Sequence, residues 1–297
     1  MEEAVRAGPV APQPERRTGT VNAMTTISVN PELCTGCRTC IDLCPYFILT
    51  MNNTTGNPAA DPLLAAACCH CGHCMAVCPQ GAITVRYDNG RPAALECEEE
   101  PVTPGQIARH FMMRRSVRHY KPETVPRETL NAVLEIVRYA PSGMNGQPVH
   151  WTVIRDPGAV RDLAGVVIAW ARDSVKNQPM HPLAPILPMI IGKWESGRDL
   201  ICHGAPALVI AHGPKDNPNL SIDSVIAMTH LDLAAPAFGL GTCWAGFVQI
   251  AADASPDVAR ALQLPENHRS FCAMMVGYPK FPFPRVPQRD ALRVTWR

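Results

Sequence analysis

The sequence predicts an α+β protein of two domains: a small cysteine-rich domain, then an α/β domain with a central sheet and covering helices. Three observations predict it. Cys34, Cys37, Cys40, Cys44-Pro45 and Cys68, Cys71, Cys74, Cys78-Pro79 repeat one spacing, C-x2-C-x2-C-x3-C-P. An acidic, proline-containing stretch at 98–105 separates this part from the rest. From 106 to 297, helical apolar periods alternate with short apolar runs of strand length. The 297 residues are enough for two cores.

Residues 1–23 are rich in Pro, Ala and Arg and lack an apolar stretch of the secretory type, so a disordered tail is expected there. Met24 serves equally well as a start. The cysteine-rich domain spans 24–97. Thr26–Val29 is a short strand entering the first cysteine loop, Ile41–Leu49 a short helix followed by an apolar turn, and Ala82–Val85 a closing strand.

The cysteine spacing resembles that of two-cluster bacterial ferredoxins. Three cysteines two residues apart wrap three corners of an iron–sulfur cube, and the fourth, before proline, ligates the neighbouring cluster. This assigns Cys34, Cys37, Cys40 and Cys78 to one [4Fe-4S] cluster and Cys68, Cys71, Cys74 and Cys44 to the other. Zinc favours closed tetrahedral sites built from cysteine pairs, which two tandem four-cysteine runs do not need. Gly36 and Gly72 let the backbone bend around sulfur. His70 and His73 read as spacers and Cys69 as a bystander. Thirteen cysteines with metal spacing argue against a disulfide framework and for a reducing, cytoplasmic setting.

In the second domain, Gln106–Arg114 is a short helix. Arg114-Arg115-Ser116-Val117-Arg118 follows, three cations around a hydroxyl, suited to an anion such as phosphate. Leu130, Val133, Leu134 and Val137 mark an amphipathic helix that stops at Ala140-Pro141. The loop 141–148 is Pro-Ser-Gly-Met-Asn-Gly-Gln-Pro, and Val149–Ile154 is a strand. Val160–Ala171 is helical. Arg172–Arg198, rich in Pro and Met, is expected to be irregular and to shape a pocket with Trp194 and Met180. Ala207–His212 is a buried strand, with His212 a satisfied core residue. Ser221 caps a helix with Ile222, Val225, Ile226 and Thr229 that runs to about Phe238, ended by Gly239-Leu-Gly241. Cys243–Gln249 is a strand, Ser255-Pro256-Asp257 opens a helix, and Phe271–Val276 is the last strand.

Four pieces of this domain together resemble the nitroreductase family of FMN flavoproteins: residues 114–118, residues 141–148, Gly-Leu-Gly-Thr-Cys-Trp-Ala-Gly-Phe at 239–247, and Val-Gly-Tyr-Pro at 276–279 followed by Arg285 and Arg289. The whole chain is similar to ferredoxin–nitroreductase fusions. The resemblance implies that Arg114, Ser116 and Arg289 hold the FMN phosphate, with Arg285 competing for that role. It places the Arg115 backbone at the ribityl chain and Arg118 at the pyrimidine edge. Ser142, Asn145 and Gln147 would frame the ring, and Ala245-Gly246 would press backbone on one face. It further implies a homodimer with flavin at the subunit interface. A fixed cation near the pyrimidine side stabilises reduced flavin. No catalytic acid or base is named.

The expected function is therefore that of an iron–sulfur flavoprotein oxidoreductase. It would take electrons from an external low-potential donor through two [4Fe-4S] clusters to FMN, and on to a small organic acceptor of the nitro, quinone or enone class. The alternatives are a direct NAD(P)H-dependent nitro or quinone reductase with accessory clusters, and an electron carrier or redox sensor without its own substrate. No G-x-G-x-x-G unit is present, although nicotinamide stacking on flavin needs none. Residues 1–100 hold 6 Lys and Arg against 11 Asp and Glu, a net of −5, and the remainder carries +6. An acidic carrier on a basic module suits electrostatic docking. No basic run with interleaved aromatics supports nucleic-acid binding, and no apolar run reaches the length of a membrane span.

Overall fold

The computed structural model describes residues 27–86, 101–178 and 180–297. The expected tail, the start at Met24, Cys97 and part of the expected linker lie outside them. The chain divides into a first unit ending at Pro101, joined by Met144–Gly146, and a second unit, Val102–Gly143 with Gln147–Arg297.

The first unit runs β1 (Ile27–Val29), α1 (Thr39–Asp42), β2 (Leu49–Met51), β3 (Pro58–Ala60), α2 (His73–Ala76) and β4 (Ile83–Val85). β1 pairs antiparallel with β4, Ile27 opposite Val85, and β2 pairs antiparallel with β3, Leu49 opposite Ala60. Its small core joins Leu49 and Ile83 to Cys40, with Ile27, Val29, Ile41, Met75 and Val77 packed around them. The β2–β3 hairpin is absent from the sequence reading. Its turn is built by Asn52, whose Oδ1 accepts from Thr54 N at 2.8 Å and Thr55 N at 3.1 Å, and by the left-handed Gly56.

The cysteine repeat is also a backbone repeat. In the first copy Gly36, Arg38 and Phe47 have φ of 68°, 66° and 54°; in the second His70, Gly72 and Gly81 have 51°, 73° and 60°. These occupy equivalent places in the two copies, so Gly36 and Gly72 are not counterparts. Each copy needs three left-handed residues, and glycine fills a different subset of them.

The second unit runs α3 (Pro104–Met113), α4 (Arg127–Val137), β5 (His150–Ile154), α5 (Pro157–Asn177), α6 (Leu187–Glu195), β6 (Ala207–Pro214), α7 (Leu220–Ala234), β7 (Gly241–Trp244), α8 (Gly246–Ala254), α9 (Pro256–Ala261) and β8 (His268–Gly277). The sheet order is β5-β6-β8-β7, antiparallel throughout. Alternation along the central strands separates two cores. Leu208, Ile210, Ala273 and Met275 face α5, α6, α8 and α9. Ala207, Val209, Ala211, Cys272, Met274 and Val276 face α4 and α7.

Several expected elements differ. α3 begins at Pro104, inside the expected linker, because Thr103 forms a capping box: its Oγ1 accepts from Gln106 N, and Gln106 Oε1 accepts from Thr103 N at 2.8 Å. α5 extends to Asn177, and α6 occupies part of the 172–198 stretch expected to be irregular. Pro188 falls in the first turn of α6, where its missing N–H costs nothing. Trp194 packs on α5, with Arg161 Cζ 4.9 Å from its ring centroid and Gly165 beneath it, and Met180 is exposed. The expected strand 243–249 is split: β7 ends at Trp244, and Gly246 opens α8, which buries Val248 and Ala251 one turn apart. α7 starts after Asn219 and not on a Ser221 cap. Ile222 and Val225 are 66% and 46% exposed, while Asp223, Ser224, Ala227, Met228, Leu231 and Asp232 form its buried face.

Candidate functional site

Two cavities in the first unit are walled by cysteine. One is lined by Cys34, Cys37, Cys40 and Cys78 together with Val29, Ala82 and Ile83. The other is lined by Cys44, Cys68, Cys71 and Cys74, with Cys69 as a fifth thiol and Ile27, Ile48 and Val85 among the apolar walls. The fold thus sets the last cysteine of each run beside the first three of the other. The short helices α1 and α2 carry the third cysteine of each loop, Cys40 and Cys74.

The donor set fits iron–sulfur clusters. Thr39 Oγ1 donates to Cys37 Sγ at 3.4 Å and Ala82 N donates to Cys78 Sγ at 3.3 Å. Both bonds favour a thiolate. The Thr39 hydroxyl holds the Cys37 thiol below its ordinary range. Burial works the other way on Cys40, and pushes Cys74 up to about 11. Thiols raised by desolvation become thiolates when a cation enters among them, so loading the cavities would release protons. Among the described residues no group of three or more His, Cys, Asp or Glu forms a site for a single metal ion, whereas four thiols line the first cavity and five the second.

In the second unit, the 114–118 segment docks on the sheet beside β7. Ser116 pairs with Thr242 in a parallel bridge, and Val117 N donates to Thr242 O at 2.8 Å. The approach is close because residue 241 is glycine: a Cβ there would stand 2.5 Å from Val117 Cγ2. Arg114 Nη1 donates to Asp232 Oδ2 at 3.2 Å. Thr242 Oγ1 donates to the other oxygen, Asp232 Oδ1. Arg115 folds onto backbone, giving Nη1 to Met112 O at 2.7 Å and Arg114 O at 2.6 Å, and Nη2 to Arg285 O at 3.5 Å. Arg118 is exposed and makes no hydrogen bond or ion pair with a described residue. The Cys243 thiol sits beneath this edge, raised by burial and opposed by the charge of Arg118 and the hydroxyl of Ser116.

The structure therefore brings Arg114, Arg115, Ser116, Arg118 and the backbone of Arg285 to one place. β7 leads directly to Ala245 and Gly246, with Ala245 N donating to Ala273 O at 2.8 Å. Arg289 lies in the exposed stretch after β8. Ser142 Oγ accepts from Gln147 N at 2.9 Å, closing the loop between them. Asn145 belongs with the first unit, where its Nδ2 donates to Cys69 O at 3.2 Å and His70 O at 3.0 Å. The donors that Arg114 keeps beyond its bond to Asp232, with the Ser116 hydroxyl, fit an anionic group such as the flavin phosphate.

The sequence reading missed Asp223 and Asp232. Asp223 Oδ1 accepts from Gly143 N at 3.1 Å, and its Oδ2 and the neighbouring Ser224 Oγ are buried without a hydrogen-bond partner among the described residues. Both carboxylates sit on the buried face of α7. A polar residue recurring among apolar ones on that helix was the available signal.

Residues 111–278 match the Nitroreductase family, and residues 18–83 match the 4Fe-4S dicluster domain. An iodotyrosine deiodinase of Thermotoga neapolitana is 26% identical over 179 residues, covering 60% of this chain and 91% of that protein. An NADH dehydrogenase of Thermus thermophilus is 29% identical over 203 residues, covering 63% and 93%. An FMN-bound nitroreductase of Bacteroides fragilis superposes with a TM-score of 0.54 at 26% identity, covering 64% of this chain and 98% of that one.

Proposed function

The chain belongs to the nitroreductase family as an FMN-dependent oxidoreductase joined to a 4Fe-4S ferredoxin domain, and from that premise we propose that it transfers electrons from an external low-potential donor to a small organic acceptor of the nitro, quinone or enone class, by way of two [4Fe-4S] clusters and FMN. When bound, the clusters carry single electrons and the flavin stores a pair that it releases as hydride. The observation that most supports this reading is the presence, in one polypeptide, of two cavities each walled by the four thiols that the repeat assigns to one cluster, with Cys69 a fifth at the second.

The residues have distinct parts in it. Cys34, Cys37, Cys40 and Cys78 hold one cluster, and Cys68, Cys71, Cys74 and Cys44 the other. The apolar walls around them limit water and so favour electron exchange over side reactions. Arg114 and Ser116 bind the phosphate, with Arg285 or Arg289. Arg115 holds the ribityl side through backbone, and Arg118 offers its charge at the pyrimidine edge. Ser142 and Gln147 frame the ring, Asn145 joins them on the family resemblance alone, and Ala245-Gly246 presents backbone to one face. Members of the family are commonly dimeric. Here Ile107, Phe111 and Met112 of α3, with Ile222 and Val225 of α7, are exposed apolar residues that a homodimer would cover. Among the described residues no helix is long and apolar enough to cross a membrane, and the proposed setting is cytoplasmic.

The test is made on anaerobically purified full-length protein. About eight irons per chain and one FMN are expected. In stopped flow, flavin bleaching is expected with a reduced low-potential donor and not with NADPH alone. Rapid bleaching by NADPH alone would replace this reading with direct NAD(P)H-dependent reduction. Loss of turnover with every acceptor class would leave an electron carrier.

A further inference from the structure

The geometry points to Asp232 as a positioning residue for the phosphate end of the flavin site, acting through Arg114. The inference rests on the reading that Arg114 meets the phosphate. Asp232 lies in the last turn of α7, with its side chain 7% exposed. A carboxylate at such a place is costly unless both oxygens are partnered. Here Oδ2 accepts from Arg114 Nη1 at 3.2 Å, and Oδ1 accepts from Thr242 Oγ1. Thr242 is itself bonded through its backbone to the segment that carries Arg114, since it pairs with Ser116 and accepts from Val117 N. One carboxylate therefore closes a ring: guanidinium, helix α7, strand β7, and back to the hydroxyl-bearing residue two places along from Arg114.

A buried ion pair contributes little to stability compared with apolar residues of the same shape, so core packing alone does not account for this one. A free arginine side chain samples many rotamers, and ordering it on binding weakens affinity. Asp232 uses one face of the guanidinium fork and leaves the remaining donors of Arg114 held at a fixed place relative to Ser116. Its charge also lowers the net positive field there. The two effects have opposite signs on FMN affinity, and that makes the proposal testable.

Full-length protein, stripped of flavin anaerobically, is titrated with FMN and with riboflavin, which lacks the phosphate, by flavin fluorescence. Asp232→Asn is expected to weaken FMN about tenfold, the size of one lost charge-assisted hydrogen bond, and to leave riboflavin affinity unchanged. Thr242→Val, which removes the hydroxyl donor but keeps the shape, is expected to act in the same direction. Arg114→Gln is expected to reduce the preference for FMN over riboflavin, and the double variant with Asp232→Asn to add nothing further. The proposal is overturned if Asp232→Asn binds FMN as tightly as the parent or more tightly, or weakens both ligands alike, as a general packing defect would. If Arg114→Gln leaves the FMN preference intact, the phosphate reading beneath the proposal has failed, and this is a separate result.

Discussion

Gly241 is where the cation-bearing segment 114–118 meets the sheet, and Gly241→Ala tests whether that contact is as tight as the geometry says. A Cβ at 241 would stand 2.5 Å from Val117 Cγ2, 2.9 Å from Val117 Cβ and 2.8 Å from Pro279 Cγ. Rotating Val117 about χ1 moves its methyl groups but not its Cβ, so the backbone of the segment must shift. Overpacking of this kind costs about 1–3 kcal/mol, and the smaller conformational freedom of alanine in the unfolded chain offsets about 0.4–1 kcal/mol. At the middle of these ranges a net loss of about 1.3 kcal/mol remains, which for a domain of this size lowers the main thermal transition by about 3–5 °C. The shift also strains the bond from Val117 N to Thr242 O, so FMN retention on gel filtration should fall with Tm. Gly192→Ala is the control: that position lies inside α6, and a Cβ there meets nothing within 4 Å. It should stabilise by about 0.5–1 kcal/mol. Circular dichroism melts of the two variants decide the matter. An unchanged or raised Tm for Gly241→Ala would refute the argument that this glycine is required by close approach.

Two further outcomes are expected. Cys78→Ser should remove the same electron paramagnetic resonance signal as Cys37→Ser, and Cys44→Ser the same signal as Cys71→Ser, with iron falling to about half in each. If Cys78→Ser instead pairs with Cys71→Ser, the crossed ligand sets are wrong. His212 bonds Thr152 Oγ1 at 3.1 Å and His268 Nδ1 at 2.9 Å. Burial, then the neighbouring His268 and His150, push its imidazole down to about 4 from the ordinary 6.5. Between those values the unfolded chain holds more protons, so stability falls as pH drops from about 6.5 towards 4. His212→Asn should flatten the Tm decline over that window, and parallel curves for parent and variant would discount the effect.

The cysteine half was legible because thiolate ligation fixes residue type and spacing at once. What the sequence hid there is conformational. The hairpin of β2 and β3 has three residues a side, one of them Pro58, too short for a period-2 pattern to register. The left-handed positions of the repeat are hidden as well, because Arg38 and Phe47 in one copy stand where Gly72 and Gly81 stand in the other. In the second half, strands and helices with one apolar face, such as α4, were placed within a few residues. Pro188 disguised a helix start as a loop, and the β-branched residues after Gly246 disguised a helix as a strand.

Helix α7 shows why the remainder of the site stayed out of view. It carries apolar residues on both sides, so periodicity does not choose a buried face, and burying the face with fewer charges is the natural expectation. The structure buries the other face. Its two carboxylates draw donors from distant parts of the chain, 80 residues away at Gly143 and 118 away at Arg114, besides Thr242. Local pattern holds no trace of such partners, and without them a buried carboxylate is destabilising. The exposed Ile222 and Val225 follow from the same choice. With Asp223 and Asp232 turned inward to the loop at 142–143 and to Arg114, together with Ala227, Met228 and Leu231, the side bearing Ile222 and Val225 faces outward, where the proposed second subunit would cover it. The orientation of this one helix would therefore link the proposed flavin site to the proposed dimer.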